Sequence, residues 1–253
     1  MIKNFILLSI CLLSYFSFSQ EKEIINQGQF WTGYMTSARI SENYSLWNDF
    51  HYVPDGFFVA RTGITRSFFE KLYLTAGYAY LNIPTESNDT KLNRTEHRPW
   101  MQTVANHELT ERWTMINRVR YDMRYRQNFA NGELLNDFNF NHRLRLLIGL
   151  RYHFEKQTIF SGTPYINLSN EVLINFGENI ITNHFNQNRT WLTLGLRLEN
   201  TSFQVGYMNR FVKLSQNQRF VRNHTLVVWI SQRFDFRKKE ILGDDDEHFY
   251  QIP

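Results

Sequence analysis

The residues of this chain with the clearest chemical potential are arginines that recur at every second position. Within Trp113–Arg126 the even positions include Arg118, Arg120, Arg124 and Arg126, and the odd positions are mainly aromatic or aliphatic. Guanidinium groups bind carboxylates and phosphates through paired hydrogen bonds. Because successive side chains of a strand point to opposite faces, this spacing predicts a strand with one cationic face and one apolar face.

The same alternation recurs in about eleven segments, and none has the three- and four-residue spacing of an amphipathic helix. Arginine on the inner phase and apolar residues on the outer phase are typical of a barrel with a polar lumen and a lipid-facing wall. The sequence therefore predicts an all-β fold, an antiparallel up-and-down transmembrane β-barrel. The predicted strands are Gln29–Ile40, Tyr44–Val53, Phe57–Phe68, Lys71–Asn82, Trp100–Leu109, Arg112–Arg126, Asp137–Phe154, Tyr165–Phe176, Asn188–Glu199, Ser202–Val212 and Asn223–Phe236.

Bacterial single-chain barrels have even strand numbers, so the count is predicted to be twelve, with ten as the alternative. The extra strand would come from a division of the long Asp137–Phe154 segment or from a short strand near Glu21–Gln27. Short turns alternate with longer polar loops, as expected for periplasmic turns and outer loops. The predicted longer loops are 83–99, 127–136, 177–187 and 213–222.

The amino terminus has the pattern of a secretory signal. Lys3 precedes an uncharged apolar run, Phe5–Phe18, and small residues lead to a cleavage site after Ser19. The run is shorter than the roughly 20 apolar residues of a transmembrane helix. Acylation of Cys11 as a lipoprotein is a less favoured alternative, because Ile10 is bulky for the position before the cysteine.

These boundaries divide the chain into a signal peptide (1–19), a short lead (20–28), the barrel (29–236) and an acidic periplasmic tail (237–253). Cleavage would remove Cys11, the sole cysteine, and with it any thiol nucleophile, disulfide or cysteine-ligated metal. The run Asp244–Asp246 lacks the glycine turn and bidentate glutamate of a calcium loop, so we interpret it as solvated tail.

Enzymatic chemistry has little support in the sequence. Outer-membrane lipid hydrolases use a Ser–His pair on the outer wall, but the same-face neighbours of outward-facing His142 are Phe140 and Leu144. The other histidines have no metal-ligand spacing, and no phosphate loop, HExxH or GxSxG motif is present. We therefore predict no catalytic residue, cofactor or metal site, with a lipid hydrolase as a minor alternative.

The basic composition does not indicate nucleic-acid binding. The isoelectric point is about 9.1, but the net charge of +4 falls only to +3 when Lys3 is removed with the signal. The arginines lie on the inner phase of strands, not on an exposed patch. The predicted location is the outer membrane of a Gram-negative bacterium. The expected partners are outer-membrane lipids and the barrel-insertion machinery, which would recognise the aromatic final strand that ends at Phe236.

Function is therefore expected in the lumen, where basic side chains outnumber acidic ones. Charged rings set the selectivity of pores, so the arginine excess predicts a narrow porin-like channel for small anionic solutes. The alternative is a non-conducting, salt-bridged scaffold that binds partners through its outer loops, with side chains filling the bore. The predicted lumen-lining residues are Asp49, Arg61, Arg118, Arg120, Asp122, Arg124, Arg143, Arg145, Arg151, Glu171, Arg189, Arg197, Arg210, Arg233 and Asp235.

Several short motifs, taken in order, resemble an uncharacterised bacterial outer-membrane β-barrel family, the domain-of-unknown-function family numbered 2490. The motifs are Arg98–Gln102, His142–Arg145, Asn188–Leu192, Gly206–Asn209 and Asn223–Thr225. The resemblance covers nearly the whole mature chain, about residues 29–236. It implies a signal peptide, a barrel and an outer-membrane location, but it supplies no activity and no catalytic residues.

Overall fold

The computed structural model describes residues 23–68, 71–87, 90–154, 162–178, 180, 184–214 and 219–237. These residues form eleven strands, and no helix occurs among them. The strands are β1 Glu23–Arg39, β2 Tyr44–Val53, β3 Phe57–Phe68, β4 Leu72–Ser87, β5 Thr90–Glu108, β6 Trp113–Ala130, β7 Glu133–His153, β8 Thr163–Phe176, β9 Phe185–Leu198, β10 Thr201–Lys213 and β11 Arg219–Asp235. The predicted signal peptide, and the tail after Arg237, lie outside the described residues.

The strands close into one barrel in which each strand pairs antiparallel with its neighbour in sequence, except at the closure. There β1 pairs with β11 in parallel, from Glu23 opposite Arg219 to Arg39 opposite Asp235. The all-β barrel is confirmed, but the twelve-strand and fully antiparallel predictions are wrong. With an odd number of alternating strands, the first and the last run in the same direction and can only pair in parallel.

Both expected sources of a twelfth strand are absent from the described chain. β7 is one continuous strand from Glu133 to His153, and each part of it has partners in β6 or β8. The segment near Glu21–Gln27 is not a separate strand, because β1 already begins at Glu23 and continues to Arg39. The first strand therefore starts within the predicted lead.

Two of the predicted long loops are extended hairpins. β4 and β5 remain paired to Ser87 and Thr90, and β6 and β7 remain paired to Ala130 and Glu133. These extensions are rich in polar residues and carry only scattered apolar ones, such as Ile83 and Phe129, so they lack the regular alternation that marks the other strands. We call the end of the barrel that carries these two connections, and the β2–β3, β8–β9 and β10–β11 connections, the upper end. The opposite end is the lower end.

The alternation in the sequence separates the two faces of the wall as predicted. The outer face is apolar, with Leu146, Ile148, Leu194 and Leu196 each at least 40% exposed. On the inner face, two glycines make room for rings from neighbouring strands. A Cβ on Gly33 would collide with the ring of His51, and one on Gly195 would collide with the ring of Tyr165. Glycine in a strand commonly marks such a close approach.

The middle of the bore is filled by apolar side chains. One contiguous buried cluster joins side chains from nine strands, including Trp31 and Trp229 on one wall and Ile116 and Leu147 on the opposite wall. Five of the six tryptophans are buried inside the barrel, and Trp113 is the exception at 39% exposure. Eight strands already enclose a bore that side chains can fill, so a wider barrel needs bulkier residues.

Candidate functional site

Most of the predicted lumen-lining residues lie on the inner wall of the barrel. Asp49, Asp122 and Glu171 are at most 1% exposed, and nearly all the predicted arginines above the lower rim are buried. Two predicted residues lie instead at the lower rim. Arg233 donates a hydrogen bond to the backbone oxygen of Glu199 at 2.8 Å, and Asp235 is paired with Arg237.

A cavity of about 610 Å³ occupies the upper part of the bore. Its upper wall includes Gly56 from the β2–β3 turn and Leu214 from the β10–β11 connection. Its floor contains Trp31, Trp191 and Trp229, which belong to the apolar cluster that fills the middle of the barrel. The volume falls in the range of sites that hold small organic ligands.

The wall of this cavity has two chemically different halves. Strands β5 to β10 supply most of the cationic side chains, and we call this half the cationic arc. Its members are Arg98, Arg124, Arg126, Arg143, Arg145, Arg189, Arg210 and Lys213. Strands β11 and β1 to β4 supply mainly apolar side chains, and we call this half the apolar arc. Its members are Trp229, Trp31, Phe57, Val59, Leu81 and Ile83.

Glu96 organises one part of the cationic arc. Its carboxylate accepts hydrogen bonds from Arg98 Nε at 2.9 Å and from Arg126 Nε at 2.6 Å. Arg124 binds the same carboxylate through two nitrogens, Nε at 2.8 Å and Nη2 at 2.9 Å. Glu96 is fully buried. One carboxylate thus holds three guanidinium groups in place on β5 and β6.

Glu171 organises a second part of the arc. It accepts hydrogen bonds from Arg118 Nη2 and Arg145 Nε, both at 2.8 Å, and from Arg189 Nη1 at 3.3 Å. The four side chains lie on four strands, β6 to β9. Charge-assisted hydrogen bonds of this kind are stronger than neutral ones, so they fix the positions of the arginines.

Two further buried carboxylates are paired below the cationic arc. Asp122 accepts a hydrogen bond from Arg120 Nε at 2.8 Å. Asp49 lies 2.5 Å from Arg61 Nη2 and 2.8 Å from His51 Nε2. Trp31 Nε1 donates to His51 Nδ1 at 2.9 Å, so both ring nitrogens of this histidine have a partner. These contacts join β1, β2 and β3 at the cavity wall, where Trp31, His51 and Arg61 are lining residues.

Arg143 and Arg210 differ from the other arginines of the arc, because neither has a salt bridge among the described residues. Arg143 Nε donates to the amide oxygen of Asn175 at 2.8 Å. Arg210 Nε donates to the amide oxygen of Gln187 at 2.9 Å. Amides orient a guanidinium without neutralising it. Nine cationic side chains line the cavity, counting Arg61, against one carboxylate, that of Glu171, so the cavity carries a surplus of positive charge.

A second, much smaller cavity of about 40 Å³ lies at the lower end and is lined by Arg151, Tyr165 and Arg197. The apolar cluster lies between the two cavities, and Val227 at 0%, Ile116 at 1% and Val104 at 1% exposure line neither of them. Side chains that lined a continuous water-filled path would be accessible to water. The upper cavity is therefore closed at its lower side and does not continue through the bore.

Sequence reasoning missed Glu96, Arg98 and Arg126 as partners in the lumen. Glu96 and Arg98 fell within a predicted loop, and Arg126, although placed on the same face as Arg124, was left out of the predicted lining. It also missed the apolar arc, since inward-facing tryptophans were not separated from outward-facing ones. His142, the residue considered for catalysis, lies on the outer face. There it pairs with the hydroxyl of Tyr121 and stacks on Phe176.

No cluster of three or more potential metal ligands occurs in the described part of the chain. The described residues also contain no helix of the length and hydropathy needed to cross a membrane.

The sequence profile of a protein family described as "Protein of unknown function (DUF2490)" matches residues 28–221. The chain belongs to this family. The segment matched in this DUF2490 protein contains the whole cationic arc and ends before Trp229 of the apolar arc. No curated protein matches the chain.

Proposed function

We propose that this protein is an outer-membrane β-barrel that binds a small anionic solute in its upper cavity and does not conduct that solute through the bore. The observation that carries the proposal is the pair Arg143 and Arg210. Both are held by amides on the cavity wall and have no carboxylate partner among the described residues. A guanidinium that has no carboxylate bound to it in a confined site favours an anion beside it, because the anion replaces lost hydration.

Membrane insertion is supported by the outer wall. Contiguous apolar patches larger than a few hundred Å² are uncommon on soluble monomers. Here the outward phase of β7 to β10 is largely apolar, including Leu144, Leu146, Ile148, Leu194 and Val205. One hydrogen-bonded polar group, Asn170 with Asn188 and Thr190, interrupts it. The contrast between this wall and an arginine-rich interior is the pattern of outer-membrane barrels.

A conducting pore is the second candidate, and the arginine excess would make it anion-selective. The apolar side chains that fill the middle of the bore favour a binding site that is closed at its lower side. A scaffold that acts only through its loops would leave the surplus charge of the cavity without a role.

The experiment uses the full-length mature protein, folded in lipid nanodiscs. Calorimetric titration with phenyl phosphate should give saturable binding with one site. Arg143→Gln and Arg210→Gln should each weaken binding by about tenfold, since each removes one cation without exposing an unpaired carboxylate. Arg112→Gln is the matched control, because Arg112 is exposed at the lower end and contacts Tyr152. Absence of binding by any anion, or equal effects of all three variants, would contradict the proposal.

A further inference from the structure

The upper cavity presents both charged and apolar surface, and most of its cationic side chains are concentrated on one side. All members of the cationic arc lie on the consecutive strands β5 to β10, and all members of the apolar arc lie on β11 and β1 to β4. A ligand that fills this cavity therefore meets guanidinium groups mainly on one side. It meets aromatic or aliphatic groups on the other side and also on β9 and β10, where Trp191, Met208 and Val212 line the wall.

The two arcs meet at Arg189 and Trp31. The guanidinium carbon of Arg189 lies 5.2 Å from the centroid of the Trp31 ring. Trp31 in turn packs edge-on against Phe57, with ring centroids 5.1 Å apart. The charged groups and the rings are thus adjacent, and a single small molecule can contact both.

We infer that the ligand of the upper cavity is an amphipathic organic anion, in which a phosphate or carboxylate is joined to an aromatic or short aliphatic body. This inference rests on the proposed anion site and adds the class of the ligand. The anionic group contacts Arg143 and Arg210, and the body packs against Phe57 and Ile83. A free inorganic ion gains nothing from the apolar arc, which cannot replace its hydration.

Burial of the organic body removes apolar surface from water on both the ligand and the apolar arc, and this favours association. Such a ligand therefore has two independent sources of affinity. Loss of one arc should weaken binding in a way that depends on the ligand, whereas a general loss of folding would weaken the binding of every ligand equally.

The test compares three probes in nanodiscs of zwitterionic phosphatidylcholine: phenyl phosphate, inorganic phosphate and phenol. Phenyl phosphate should bind at least about tenfold more tightly than inorganic phosphate, a difference of about 1.4 kcal/mol, and phenol should bind more weakly than phenyl phosphate. Equal affinities for phenyl phosphate and inorganic phosphate would overturn the inference and leave the proposed anion site intact. No binding of either phosphate would overturn both.

Variants of the apolar arc test whether this arc binds the organic body of the ligand and not its anionic group. Phe57→Gln should weaken the binding of phenyl phosphate by about tenfold and leave that of inorganic phosphate unchanged. Phe58→Gln is the matched control, because Phe58 is the next residue and is 40% exposed on the outer wall. Ile83→Asn is a second variant if Phe57→Gln does not fold. An equal loss of both phosphates in both arc variants would contradict the inference.

Repeating the titration in nanodiscs that contain anionic phosphatidylglycerol distinguishes the source of the ligand. Competition by this lipid against phenyl phosphate would support an amphipathic anion drawn from the membrane. Unchanged binding of phenyl phosphate would support a water-soluble one.

Discussion

Glu171 on β8 binds Arg145 on the neighbouring strand and Arg118 one strand further, with one oxygen, Oε1, accepting a hydrogen bond of 2.8 Å from each. A carboxylate shared in this way aligns the three strands from inside the barrel. The arrangement is also vulnerable, because loss of the carboxylate leaves several buried guanidinium groups without a counter-charge.

We therefore expect Glu171→Gln to lower the free energy of unfolding by about 3–5 kcal/mol, the usual cost of breaking a buried ion pair from one side. Arg143→Gln should cost less than about 1.5 kcal/mol, since within the described residues Arg143 hydrogen-bonds to an amide, that of Asn175, and has no salt bridge. The measurement is the urea dependence of the folded, heat-modifiable band on a gel. Equal losses in the two variants would mean that the ion pairs do not support the wall.

The outer wall provides a second prediction. Leu194→Arg places a charge where we propose that lipid lies, at 57% exposure in the isolated barrel, and should cost roughly 2–4 kcal/mol near the bilayer midplane. Asn139→Arg, on the inner phase, should cost little. Stability in lipid vesicles is the readout. A protein that is soluble without detergent and tolerates both changes would not be a membrane barrel.

The filled bore predicts the electrical behaviour of the protein. In a planar bilayer the unmodified barrel should pass no steady current. The double variant Trp191→Ala, Trp229→Ala should pass anions, because it removes two rings whose centroids lie 6.2 Å apart in the floor of the cavity. A steady anion-selective current through the unmodified protein would favour the pore.

Close packing over glycine gives a fourth prediction. Gly195→Val should destabilise the barrel by about 1–3 kcal/mol, a typical cost of overpacking, because the ring of Tyr165 occupies the space beside the glycine. Gly28→Val is the control, since no atom lies within 4 Å of a Cβ at Gly28. Thermal unfolding should separate the two variants, and similar midpoints would show that the ring of Tyr165 moves aside at little cost.

The alternation of residue types was enough to predict which face of each strand points inward. Arg118, Arg120 and Arg124 occupy the buried phase of β6 as expected. The alternation fails where a strand extends beyond the apolar wall, as in β5 near Thr95 and Glu96. There both faces are polar, so the pattern of a strand and the pattern of a loop are the same.

The number of strands and the pairing partners could not be read from the alternation. Whether β1 pairs with β11 depends on residues almost 200 positions apart, such as Glu23 and Arg219, and no local signal encodes this contact. The cavity with its cationic and apolar arcs likewise exists only because β1 pairs with β11 and closes the barrel. Phe57 and Arg189 line the same cavity only because the ends of the sheet meet.

The parallel closure has a consequence for how the barrel would sit in a membrane. In a barrel with an even number of strands, the start of the first strand and the end of the last strand lie on the same side of the membrane. Here Glu23 pairs with Arg219 at the upper end, and Arg39 pairs with Asp235 at the lower end. A protease site inserted just before Glu23 and another inserted just after Asp235 would therefore be cut from opposite sides of the bilayer.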